Sequence, residues 1–117
     1  TPAFGLYEAI IKLCRGVCVP LDTRADGFQI RPAALQAALS PRTKAIILTS
    51  PNNPTGCIYD HESLTAVYAA AKEHPIFVLC DEVYRDLIYT DAFESFTSFP
   101  ICAAALSRCR VFPNPTP

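Results

Sequence analysis

The sequence predicts an α/β fold built on a parallel sheet, and three observations carry that reading. Lys44–Thr49 (K-A-I-I-L-T) is an apolar run without polar alternation, the pattern of a strand covered on both faces. Ile76–Cys80 is a second run of the same kind. Between them a helix-period stretch opens on Asp60 and closes before Pro75. Strand, helix and strand at this spacing form a βαβ unit, whose crossover is expected to be right-handed.

The other elements follow in chain order. Leu6–Arg15 reads as a helix, with Leu6, Ile10 and Leu13 on one face and Tyr7 and Ile11 beside them. Gly16 is expected to stop it in the left-handed conformation. Val17–Leu21 is a strand candidate that Pro20 places at an edge or an end. Asp22–Gly27 is polar and turn-rich. Pro32 fits the first turn of a second helix, with Leu35, Ala38 and Leu39 as its inner stripe and Ser40-Pro41 as its end. The helix after Asp60 is expected to run to about His74 and to bury Leu64, Val67, Tyr68 and Ala71. Ile101–Cys109 reads as a short helix and Arg110–Phe112 as the start of a strand, stopped by Pro113, Pro115 and Pro117.

Composition bounds the function. The chain has 117 residues, half of them apolar and 18% charged, with a net charge of −1. That fits one globular unit with a core. It carries no basic stripe for nucleic acid or for an anionic membrane. The apolar runs are too short to span a bilayer. The chain begins with Thr1 and contains no methionine, so it is read as processed or as a fragment. Its six cysteines lack zinc-like or C-x-x-C spacing, and Cys18 and Cys80 sit in apolar runs. Free thiols in a reducing, cytoplasmic compartment are the expectation. His61 and His74 flank one helix with no ligand pattern around them, so no metal is expected.

The chemistry concentrates at two strand ends. In open α/β sheets ligands bind beyond the carboxyl ends of the strands. The first strand delivers Ser50-Pro51-Asn52-Asn53-Pro54-Thr55-Gly56 and the second delivers Asp81-Glu82-Val83-Tyr84. If the strands are neighbours, Asn53 and Asp81 lie close enough to share a ligand. A carboxylate after five apolar residues must be solvated, capping or paired. Asp81 therefore either caps a turn or faces a cation such as a protonated heterocyclic nitrogen. Asn53, before a proline, either shapes a turn or donates to a phenolate-type oxygen, and a cis bond to Pro54 fits such a turn. Tyr84 either reaches the same oxygen or packs in the core.

S-P-N-N-P-T-G at 50–56, followed by D-E-V-Y at 81–84, resembles the large domain of class I/II (fold type I) aminotransferases that use pyridoxal 5′-phosphate (PLP). R-D-L-I-Y at 85–89 and the upstream D-G-F-Q-I, P-A-A-L and P-R-T-K-A-I-I-L runs agree with it. The resemblance covers roughly residues 1–100 and implies a three-layer αβα fold with a partial, mostly parallel sheet. It implies that Asp81 pairs the pyridinium nitrogen and that Asn53 and Tyr84 contact the 3-oxygen. Phe4, following Pro2-Ala3, would stack on the ring or serve as plain core. Residues 1–112 are then part of the PLP-binding large domain, and 113–117 an irregular proline-rich tail.

Relatives of this kind move an amino group between an amino acid and a 2-oxo acid, and are usually homodimers. They do so with a lysine in an S-x-S-K or F-S-K segment that forms the Schiff base with PLP. Lys12, Lys44 and Lys72 are the lysines here, and none has that context. No catalytic residue is therefore assigned. The glycine-containing phosphate cup and the substrate-holding arginine of the family also have no counterpart in these residues. The expectation is a transaminase fragment, inactive by itself. A carbon–sulfur lyase fragment, a non-catalytic aminotransferase-like effector domain and a degenerate product are the alternatives.

Overall fold

A computed structural model describes residues 1–89 and 93–100, with the backbone of 106–109. Three strands, β1 (Ala45–Thr49), β2 (Phe77–Asp81) and β3 (Leu106–Cys109), form one sheet in the order β1-β2-β3. Both pairings are parallel, with Thr49 opposite Asp81 and Asp81 opposite Cys109. The βαβ unit is thus present: α3 (His61–Glu73) connects β1 to its neighbour β2.

Asp60 starts α3 as its N-cap, its carboxylate accepting from the Ser63 amide at 2.7 Å. That satisfies one of the amides a helix start leaves open. Ser63, Leu64, Ala66, Val67 and Ala70 of α3 are buried, while Tyr68 and Ala71 are half-buried against the core. Leu48, Val78 and Cys80 from the sheet, Leu35 from α2 (Pro32–Ala38), and Ile30, Ile76 and Phe96 complete that core. Pro32 stands in the first turn of α2, where its missing amide leaves no bond unmade.

The opposite face is more open. β2 alternates, with Val78 and Cys80 buried and Phe77 and Leu79 exposed. α1 (Leu6–Leu13) lies on this side and buries none of its residues, so Leu6, Ile10 and Leu13 remain exposed. The layers are therefore helix, sheet and helix, and their coverage is unequal. Among the described residues no helix is long and apolar enough to cross a membrane.

Three expectations about local structure change. Val17–Leu21 is not a strand: Val17 and Val19 are exposed, and Leu21 lies instead against the amino terminus of Thr1. With Pro20 lacking a donor, the segment has little to offer a sheet edge. The left-handed residue after α1 is Arg15 (φ 60°), and Gly16 closes the turn by donating to Ile11 O at 2.8 Å. Glycine is needed there for room, since a Cβ would sit 2.9 Å from Ile11 Cγ2. The final part of the predicted helix Ile101–Cys109 is strand β3, because the second edge of β2 offers a row of unpaired backbone groups. Residues 101–105, the predicted strand Arg110–Phe112 and the tail 113–117 lie outside the described residues.

Candidate functional site

The site is built at the carboxyl ends of β1 and β2. The Ser50 amide donates to Asp81 O at 3.0 Å, so the loop that follows β1 leaves directly beside Asp81. Side chains alternate along a strand, which puts Thr49 and Asp81 on the face that carries Ile47 and Leu79, toward α1. There the Tyr7 hydroxyl, from the first turn of α1, donates to Asp81 Oδ2. Thr49 Oγ1 donates to the Tyr7 hydroxyl oxygen at 3.2 Å. The Val83 amide donates to Asp81 Oδ1 at 3.1 Å. Both carboxylate oxygens are thus aimed by the protein before any ligand arrives. Such linked bonds polarise one another in a site of low dielectric.

The loop after β1 is held from within. Asn52, which is buried, accepts at Oδ1 from Thr55 Oγ1 at 3.0 Å, and its backbone N–H donates to Cys57 O at 2.9 Å. The Gly56 amide returns to Asn52 O at 2.8 Å, with Gly56 at φ 70°, a conformation that costs glycine little. Asn53–Pro54 is cis, the isomer its turn admits, and Ser50–Pro51 is cis as well. Of the two asparagines, Asn52 therefore shapes the loop. Asn53 is half-buried, and its amide makes no hydrogen bond among the described residues.

The structure places the four sequence-predicted residues unequally. Asp81 lies in an apolar groove of about 440 Å³, lined also by Tyr7, Ile10, Ile11, Ile47 and Leu79. Phe4 meets Tyr7 edge-on, with centroids 6.0 Å apart and planes at 85°. That makes it a neighbour of the Asp81 cluster, although it is 45% exposed. Asn53 and Tyr84 stand on the loops leaving the same two strand ends and do not line this groove. Tyr84 is 38% exposed, and its hydroxyl makes no bond among the described residues. Tyr7 is the residue the sequence reading missed. The available signal was a phenol beside the apolar stripe of α1, since an inward-facing phenol needs a polar partner.

Burial shifts the titration of two side chains that follow the loop after β1, Tyr59 and Cys57. Burial, helped by the Cys57 thiol nearby, pushes the Tyr59 phenol up to about 12, so it stays neutral at physiological pH. Burial and then the Asp60 carboxylate push the Cys57 thiol up, which keeps it protonated. Cys14, Cys18 and Cys57 carry free thiols. Among the described residues no group of three His, Cys, Asp or Glu side chains is placed to hold a metal ion.

Comparison with known proteins gives a consistent result. The chain is 40% identical over 93 residues to aspartate aminotransferase of Geobacillus stearothermophilus, covering 79% of this chain and 24% of that protein. It is 38% identical over 90 residues to aspartate/prephenate aminotransferase of Thermus thermophilus, covering 76% of this chain and 23% of that one. The structure of a single mutant of Thermus thermophilus aspartate aminotransferase matches with a TM-score of 0.80 at 35% identity, over 86% of this chain and 26% of that chain. The chain therefore spans about a quarter of the length of the relatives it matches. The family model for aminotransferases of class I and II matches residues 1–111, and this chain belongs to that family.

Proposed function

We propose that this chain is the part of a PLP-dependent transaminase that grips the cofactor ring, in an enzyme moving an amino group between an amino acid and a 2-oxo acid. The observation that carries the reading is the double support of the Asp81 carboxylate by Tyr7 and Val83 at a strand end. When bound, PLP supplies an electron sink for carbanion chemistry. Asp81 would hold the proton on its ring nitrogen, and Asn53 and Tyr84 would donate to its 3-oxygen. Phe4 would lie against the ring. The donor set suits that group: a pre-aimed acceptor would serve the ring nitrogen, and an amide and a phenol without other hydrogen-bond partners among the described residues lie on the adjoining loops.

The chain's own lysines stand away from this site or are paired elsewhere. Lys12 pairs with Glu8 at 2.6 Å, and Lys72 lies over the Tyr68 ring at 5.5 Å from its centroid. Lys44 precedes β1 and stands five residues before Thr49, roughly 17 Å from the Asp81 end at strand rise. The 117-residue chain is accordingly expected to show no transamination with PLP, an amino acid and a 2-oxo acid. Measurable turnover by the purified chain would overturn this.

Ring recognition is tested with 4′-deoxypyridoxine 5′-phosphate, whose methyl group in place of the aldehyde cannot react with lysines. Absorbance titration should show binding by the unaltered chain. Asp81→Asn should weaken that binding by about tenfold or more, the scale of one hydrogen bond to a charged group. Equal affinity of the two proteins would sink the assignment of Asp81.

A further inference from the structure

Glu82 follows Asp81 and points to the other side of the sheet. It is 5% exposed and lies with Leu48, Ser50, Tyr59, Cys80, Glu94 and Phe96 around a small cavity on the α3 side. Ser95 Oγ donates to Glu82 Oε1 at 2.5 Å. Arg85 Nη1 stands 3.6 Å from Oε2, and no group among the described residues hydrogen-bonds that oxygen. A buried carboxylate so incompletely satisfied is a poor source of stability, because an apolar side chain in its place is often neutral or better. Its geometry is more informative. Ser95 also accepts from the Thr97 amide at 3.2 Å and starts the short turn Phe96–Ser98, which puts Phe96 into the core. Glu82 thereby ties the end of β2 to a separate, core-anchored segment. The same residue accepts the Arg85 amide at its carbonyl, at 3.0 Å, and this closes the turn that presents Tyr84.

We infer that Glu82 is a positioning residue for this site. Its carboxylate, held by Ser95 and Arg85 behind the sheet, fixes the turn that presents Asp81 in front of it and Tyr84 beyond it. The inference rests on the ring-gripping role proposed above. Neighbouring residues on a strand point to opposite faces, so the peptide joining 81 and 82 is pinned from both sides. Asp81 is held by Tyr7 in front and Glu82 by Ser95 behind. Loss of the rear anchor lets that peptide rotate. Rotation moves Asp81 Oδ1 away from the Val83 amide and shifts Tyr84 with it.

Two readouts on the full 117-residue chain test this. The first is amide hydrogen exchange, without ligand, in the unaltered chain, Glu82→Ala and Ser95→Ala. The Val83 and Arg85 amides should exchange faster by about threefold to tenfold, the factor expected for one net hydrogen bond. The Val67 and Ala70 amides of α3 should not change. A purely structural role would instead speed all four together, and that result, or unchanged Val83 and Arg85 amides, overturns the inference. Should Glu82→Ala fail to fold, Ser95→Ala decides alone. The second readout is binding of 4′-deoxypyridoxine 5′-phosphate with the pH dependence of its ring absorbance. Ser95→Ala should weaken binding and lower the apparent pKa of the bound ring nitrogen toward that of the free compound. Glu82→Gln, which keeps the acceptor for Ser95, should restore both relative to Glu82→Ala. Unaltered affinity and ring pKa in Ser95→Ala overturn the inference. If the unaltered chain takes up no probe, the ring-gripping role fails, and the exchange experiment alone decides whether Glu82 fixes the turn.

Discussion

Tyr7 and Asp81 show how single residues acquire a role by meeting. Asp81 alone is a strand-end carboxylate, and Tyr7 alone is one of several apolar-face residues of α1. Together with Thr49 they form a chain of donors running Thr49 to Tyr7 to Asp81. Tyr7→Phe keeps the ring and its edge-on contact with Phe4 while removing the donor. Bonds to charged groups are worth about 1.5–3 kcal/mol, so affinity for 4′-deoxypyridoxine 5′-phosphate should fall about tenfold or more. The same absorbance titration reads it, and an unchanged affinity in Tyr7→Phe would remove Tyr7 from the site. The two asparagines of the loop separate in the same way. Identical in type and adjacent in sequence, one is consumed by Thr55 and the other is not.

Helix α3 carries the predictions at the scale of elements. Its cap was legible because an aspartate before a helix-period run has one good use. Asp60→Ala should cost about 1 kcal/mol, read as a lower urea midpoint. Burial works to raise the Asp60 carboxyl, but bonds from Ser63 and from Arg31 outweigh it and hold the carboxyl below its ordinary value. Its contribution to stability is therefore fully present above the unfolded carboxylate pKa of about 3.9 and is lost as pH falls through the lower folded value. Asp60→Asn, which still caps but cannot ionise, should be less stable than the unaltered chain near neutrality, approach it in acid, and show a flatter dependence on pH. Tyr59 acts at the opposite extreme. Its folded value of about 12 exceeds the ordinary 10.0, so between them the folded chain keeps a proton the unfolded chain releases, and stability falls as pH rises. Tyr59→Phe should flatten that alkaline limb in pH-dependent unfolding.

At the scale of the whole molecule the two faces of the sheet behave differently. Leu64 is 2% exposed in the α3-side core, and Leu64→Ala should destabilise by about 2–5 kcal/mol. Leu13, at the end of α1, is 83% exposed, and Leu13→Ala should stay within about 0.5 kcal/mol. Denaturant unfolding of both variants measures the contrast, and equal losses would show that α1 is packed as tightly as α3. Ile10 of α1 and Leu79 of β2 line one groove and stay exposed, on the side where α1 buries none of its residues. This chain spans about a quarter of the length of the relatives it matches.

The sequence by itself determined the βαβ unit, the cap at Asp60 and the parallel strand ends that carry Asp81; it admitted a cis bond at Asn53–Pro54 without requiring it. Each depends on a local signal: an unbroken apolar run, a helix period, a capping side chain or a proline. Tertiary structure decided the rest. Whether Val17–Leu21 or Leu106–Cys109 joined the sheet depended on which segment could reach an unpaired strand edge, and no local pattern states that. The left-handed residue after α1 is Arg15 rather than Gly16, and glycine serves at position 16 for room, since a Cβ there would crowd Ile11. Tyr7 became a partner of Asp81 because α1 packs over that face of the sheet, bringing together residues 74 positions apart. Hydrogen bonds between such distant residues form only once the chain has folded, so a one-dimensional reading finds the donors and acceptors without finding the pairs.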